Sequence, residues 1–129
     1  MANILIVVDD EMDRLLERTF LEDAGHTPFF ASDGEAALRV YQTNDIDVVV
    51  TDLRMPHVDG LELIRQLLEI NPAVKIIAVS GAAADQLGEA EAEGALSGLI
   101  KPVQPDQLVQ AVQEALDGSG GSDAWGSSG

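Results

Sequence analysis

The chain has 129 residues, enough for one domain with a real core, and its 46% apolar and 23% charged residues are ordinary for a globular protein. Twenty-three acids against seven bases give a net charge of −16, a surface that repels nucleic acid phosphates and anionic lipid, so neither direct nucleic acid binding nor membrane binding is expected. The absence of cysteine excludes disulfides and thiolate metal sites and suits a reducing cytoplasm; no run approaches the roughly 20 apolar residues of a membrane span, and Met1-Ala2-Asn3 lacks the flanks of a signal peptide.

In chain order, the first element is an apolar run over Asn3–Val8 that stops at Asp9. Met12–Ala24 follows as an amphipathic helix with Leu15, Leu16, Thr19 and Phe20 on its expected inner side and Gly25 as its stop. Thr27–Ala31 is less uniformly apolar and reads as an edge strand. Ser32-Asp33-Gly34-Glu35 is a capping-box pattern that opens a helix burying Ala36, Ala37, Val40 and Tyr41. Ile46–Thr51 is a buried strand, and Leu61, Leu63, Ile64, Leu67, Leu68 and Ile70 mark a helix ended by Asn71-Pro72. Val74–Ser80 is the fourth strand, and Ala83–Glu93 a weaker helix with Leu87, Ala90 and Gly94 as a sparse buried face. Ser97–Ile100 is the fifth strand, and Pro105 opens a last helix carrying Leu108, Val109, Val112 and Leu116. Strand and helix thus alternate five times, the pattern of an α/β, doubly wound parallel sheet with helices on both faces. Residues 1–117 form the expected domain; from Gly118 a flexible Gly/Ser-rich tail is expected, in which Trp125 has no core role.

In such sheets ligands bind at the carboxyl ends of the strands. There the sequence places Asp9-Asp10-Glu11, Thr51-Asp52, Ser80-Gly81 and Lys101-Pro102. Carboxylates brought together repel one another unless a cation lies between them, and an all-oxygen set with room for water suits Mg²⁺. Taken alone, Asp9-Asp10 reads equally well as N-capping charge for the first helix. His26 and His57 form no transition-metal spacing and are expected to be ordinary loop histidines. A carboxylate beside Mg²⁺ can attack phosphorus to give an aspartyl phosphate, with the ion, the Lys101 ammonium and the Ser80 hydroxyl each taking one equatorial oxygen.

The segments Ile4–Glu11, Val48–Gly60, Ile76–Gly81 and Leu99–Pro102 resemble the four signature segments of the response-regulator receiver family, over residues 3 to about 117. The resemblance implies a flavodoxin-like fold of strand order 2-1-3-4-5 with five helices. It implies Asp52 as phosphoacceptor, with Mg²⁺ held by Asp9, Asp10, Asp52 and the backbone carbonyl of Arg54. Ser80 takes the hydroxyl switch position, Lys101 the lysine position, and the Lys101–Pro102 peptide is expected to be cis. The implied partners are a sensor histidine kinase or histidine phosphotransfer protein as donor and a downstream protein target. The implied catalysis is confined to the chain's own aspartyl phosphorylation and dephosphorylation.

One position departs from the family pattern. Where receivers carry a switch aromatic, this chain has Gly98, which has no ring to rotate. Ala82–Gly94, poor in large apolar anchors, is instead expected to shift as a whole when Ser80 is drawn inward. Two other function classes fit less well. A phosphohydrolase needs a second acid after the nucleophile, where Leu53-Arg54 stands, and a phosphate-independent interaction module would show an incomplete pocket. A nucleotide-binding site is excluded by the acids after the first strand, where a glycine-rich phosphate loop would be needed.

Overall fold

A computed structural model describes residues 2–55, 58–81 and 84–117. His57, Trp125, the tail from Gly118 and the first two residues of Ala82–Gly94 lie outside them. Five strands, β1 (Asn3–Val7), β2 (Thr27–Ala31), β3 (Val48–Asp52), β6 (Ile76–Ser80) and β7 (Ser97–Ile100), form one sheet. Its order is β2-β1-β3-β6-β7, which is 2-1-3-4-5 counted over these five, and every pairing is parallel. Between β3 and β6 lies a small antiparallel ribbon absent from the sequence reading, β4 (Arg54–Met55) with β5 (Val58–Asp59). Strands of two residues are too short to leave a periodic signal.

The helices are α1 (Glu11–Asp23), α2 (Gly34–Thr43), α3 (Gly60–Ile70), α4 (Ala84–Glu93) and α5 (Pro105–Leu116). Alternate residues of the central strands feed two cores, because successive side chains point to opposite faces. Leu5, Val7, Val49, Ile76 and Ala78 pack against α2, α3 and α4, through Ala37, Leu63, Ile64, Leu67 and Ala90. Ile4, Ile6, Val48, Val50, Ile77 and Val79 pack against α1 and α5, through Leu21, Leu108 and Val112. Burial on both faces is why these strands are apolar without alternation.

Several local expectations change. The N-cap of α2 is Asp33, which accepts from the Ala36 N–H at 2.8 Å, so the helix opens one residue later than a Ser32–Glu35 box would set it. Gly94 is not part of the buried face of α4; it lies past the helix end at φ +130°, a backbone region that favours glycine. Gly25, at φ +87°, does end α1 as expected, with the His26 N–H reaching the Leu21 carbonyl at 2.9 Å. The largest change is in α1: Leu15 and Leu16 are 56% and 44% exposed, while Glu17 and Leu21 are buried. The leucines expected inside face out, and a carboxyl takes an inner position.

The candidate site at the carboxyl end of the sheet

Strand register brings the expected residues to one edge. Val7 pairs with Thr51, so Asp9 and Asp52 lie just beyond a paired position. Asp52 pairs with Val79 and Ser80 with Ile100, which sets Ser80 and Lys101 one step further along neighbouring strands. With parallel strands about 4.8 Å apart, these residues share one patch. Asp52 and Ser80 are buried, at 5% and 3% exposure, while Asp9 and Asp10 are exposed at the rim.

Lys101 reaches into this patch. Its Nζ donates to Asp52 Oδ2 at 3.0 Å and to Asp13 Oδ2 at 2.8 Å. Its backbone N–H bonds the Ser80 carbonyl at 2.9 Å, and the Lys101–Pro102 peptide is cis, as expected. Asp13 was not among the residues picked from the sequence, and neither was Glu17, one turn further along α1. Their only sequence signal is spacing: three and seven residues after Asp10, on a helix that starts at the patch.

Asp10 caps α1, its Oδ1 accepting from the Asp13 N–H at 2.9 Å. The capping reading of that acid therefore holds, and one carboxylate oxygen is engaged in it. Arg54 opens β4 two residues beyond Asp52, its backbone pairing with Asp59. The turn is drawn tight at Gly60: a Cβ there would come within 2.6 Å of the Asp52 carbonyl oxygen and Leu53 Cα, so only glycine fits against that backbone.

Charge is not balanced here. Burial lifts the Asp52 carboxyl from 3.8 to about 6; the Lys101 ammonium works against this, and repulsion from Asp13 and Asp9 adds to it. Burial likewise raises Glu17 from 4.5 to about 7, with Asp52 and Asp13 adding repulsion and Lys101 opposing. Among the described residues no three acids or histidines converge tightly enough to hold an ion by themselves. A hard cation that keeps part of its water shell suits such a donor set, since it needs only one or two carboxylates and a carbonyl. His26 lies elsewhere, buried, with Nδ1 accepting from the Ala2 N–H at 3.2 Å.

Gly98, at the position of the family's aromatic, is covered by α4. A Cβ on Gly98 would stand 3.0 Å from Leu87 Cδ2 and 3.3 Å from its Cβ. Leu87 thus occupies the space above the strand. No helix among the described residues is long and apolar enough to cross a membrane.

A family model described as "Response regulator receiver domain" matches residues 4–113. The transcriptional regulatory protein GlrR of Escherichia coli is 33% identical over 120 residues, covering 92% of this chain and 27% of GlrR. The sensor kinase CckA of Brucella abortus is 34% identical over 119 residues, 90% of this chain and 13% of CckA. The chain therefore spans about a quarter or less of these relatives. Among solved structures, a receiver domain protein from Clostridium thermocellum superposes with a TM-score of 0.87 at 31% identity, covering 92% of this chain and 97% of that one. The chemotaxis response regulator CheY4 of Vibrio cholerae gives 0.82 at 29% identity, covering 90% and 99%.

Proposed function

The chain belongs to the response regulator receiver domain family, the phosphoacceptor modules of two-component systems, and on that premise we propose that Asp52 takes a phosphoryl group from a phosphohistidine. The single observation that carries this reading is the Lys101 ammonium 3.0 Å from Asp52 Oδ2, in a patch that otherwise holds an excess of acids. A carboxylate oxygen of Asp52 attacks phosphorus, the P–N bond breaks, and the imidazole leaves with the electron pair and takes up a proton. Lys101 and Ser80 receive equatorial oxygens of the phosphoryl group. Mg²⁺ fits the donor set, with Asp9, Asp10, Asp52 and the Arg54 carbonyl as the residues that would hold it, and when bound it neutralises charge on the transferring group.

The same groups serve hydrolysis, in which water attacks phosphorus, the P–O bond to Asp52 breaks, and inorganic phosphate leaves with the carboxylate restored, so the catalysis is of the domain's own modification. The donor is a sensor histidine kinase or a histidine phosphotransfer protein; the recipient of the signal is a protein that reads the changed surface. Ala82–Gly94 is the segment proposed to shift when Ser80 is drawn inward, and the packing of Leu87 over Gly98 would couple that shift to β7.

The test is incubation with Mg²⁺ and acetyl phosphate, followed by intact mass. One added phosphoryl group is expected on the wild type, and none on Asp52→Asn or after chelation. A wild type that stays unlabelled sinks the reading.

A further inference from the structure

The closest partner of Lys101 is not the proposed acceptor. Asp13 lies 2.8 Å from its Nζ against 3.0 Å for Asp52, and both bonds are partly shielded from water. A lysine head has three N–H donors on a flexible four-carbon stem, so its placement depends on what holds it. With Asp13 and Asp52 each taking one donor, the third remains for a further acceptor. Asp13 is itself fixed, since it sits in the first turn of α1 with its N–H bonded to Asp10.

The setting of α1 also favours this contact over packing. A helix placed for burial alone would turn Leu15 and Leu16 inward; here they are exposed, Asp13 bonds the ammonium and Glu17 is buried instead. The usual apolar term thus loses to a charged arrangement, at the cost of a buried Glu17.

We infer that Asp13 is a positioning residue for the phosphoryl transfer: it keeps Lys101 shared between two acceptors and prevents the ammonium from closing on Asp52 alone. The inference rests on the phosphoacceptor reading and deepens it. In the resting state Asp13 leaves the Asp52 carboxylate less tightly paired and freer to attack. Once Asp52 carries the phosphoryl group, Asp13 still holds one N–H while the bond to Asp52 passes to a phosphoryl oxygen.

The experiment compares wild type, Asp13→Asn and Asp13→Ala in two arms. Asparagine keeps an acceptor oxygen without the charge; alanine keeps neither. At saturating acetyl phosphate with Mg²⁺, Asp13→Ala is expected to label on the order of tenfold more slowly, from loss of positioning, and Asp13→Asn to recover most of the rate. The second arm needs no phosphate: the nitrogen-15 signal of the Lys101 ammonium, one of only two lysines in the chain, is expected to stay sharp in wild type and Asp13→Asn and to broaden by exchange in Asp13→Ala. Equal rates in all three proteins, an equal loss in both variants, a faster Asp13→Ala, or an unchanged ammonium signal in Asp13→Ala would each overturn the inference. If Asp13→Ala does not fold, Asp13→Ser, too short to reach the ammonium, takes its place with the same expectations. If the wild type takes no label, the phosphoacceptor reading fails and the inference falls with it, whereas a labelled wild type with an unchanged ammonium signal in Asp13→Ala overturns the inference alone.

Discussion

Glu17 is the residue with most to lose from its surroundings. It is 5% exposed, and its carboxyl rises from 4.5 to about 7, first by burial and then by repulsion from Asp52 and Asp13. A folded-state value above the unfolded one means that the native state holds the proton more tightly. That contribution to stability is complete below about pH 4.5 and is lost as pH rises through about 7, where the ionised form costs roughly 3 kcal/mol. Asp52 acts in the same direction between 3.8 and about 6. Glu17→Gln is therefore expected to add on the order of 2 kcal/mol at pH 8 and little at pH 4.5, read by urea unfolding at both pH values. A gain of the same size at both would show that ionisation is not the cause. The strand-end placement of Asp9, Asp10, Asp52, Ser80 and Lys101 was legible in the sequence because each stands at the end of an apolar run or within two residues of it. Asp13 and Glu17 were not, because they stand on a helix whose inner face was inferred from its leucines. Where a helix borders a charged patch, the apolar rule fails locally.

At the scale of elements, α1 and α4 are where the fold is least conventional. With Asp13 and Glu17 turned inward, Met12, Leu15 and Leu16 are exposed and Arg14 Nε is buried with no partner among the described residues. Over its described side chains α4 buries Ala90 fully and Leu87 in part, a thin anchor for a helix. That anchor rests on Gly98: a larger residue there must displace Leu87. Gly98→Tyr is expected to cost about 2–3 kcal/mol through overpacking, and Leu87→Ala about 1–2 kcal/mol on its own. Because the two share one space, the double variant is expected to lose at least about 1 kcal/mol less than their sum, measured by a double-mutant cycle in urea. Strict additivity would mean that α4 yields elsewhere. The missing ring was plain in the sequence, whereas its replacement by Leu87 was not. Which side chain meets Gly98 depends on how α4 lies across β6 and β7, and that setting is tertiary.

For the molecule as a whole, the net charge of −16 acts against compaction, and the alternation of strand and helix read from the apolar runs, with the strand order that the family resemblance implied, holds despite it. Two kinds of negative charge are superimposed: acids spread over helix surfaces, and the few gathered at the carboxyl end of the sheet. Salt separates them. Raising KCl from about 0.01 M to about 0.3 M shortens the screening length from roughly 30 Å to under 10 Å, so repulsion across the surface is largely removed and Tm rises. Once that rise has levelled off, further monovalent salt has little left to relieve. A divalent ion seated beside Asp52 still adds RT ln(1 + [L]/Kd). For a millimolar site at about 10 mM Mg²⁺ this is roughly 1.4 kcal/mol, or about 5 °C in Tm for a domain of this size. In about 0.3 M KCl, wild type is therefore expected to gain that increment on addition of Mg²⁺. Asp9→Asn is expected to gain less of it, although removing one acid relieves repulsion and raises its own starting Tm. Scanning calorimetry of both proteins with and without the ion distinguishes a localised site from diffuse screening. An equal increment in the two would assign the effect to the surface at large and remove Asp9 from the proposed cation shell.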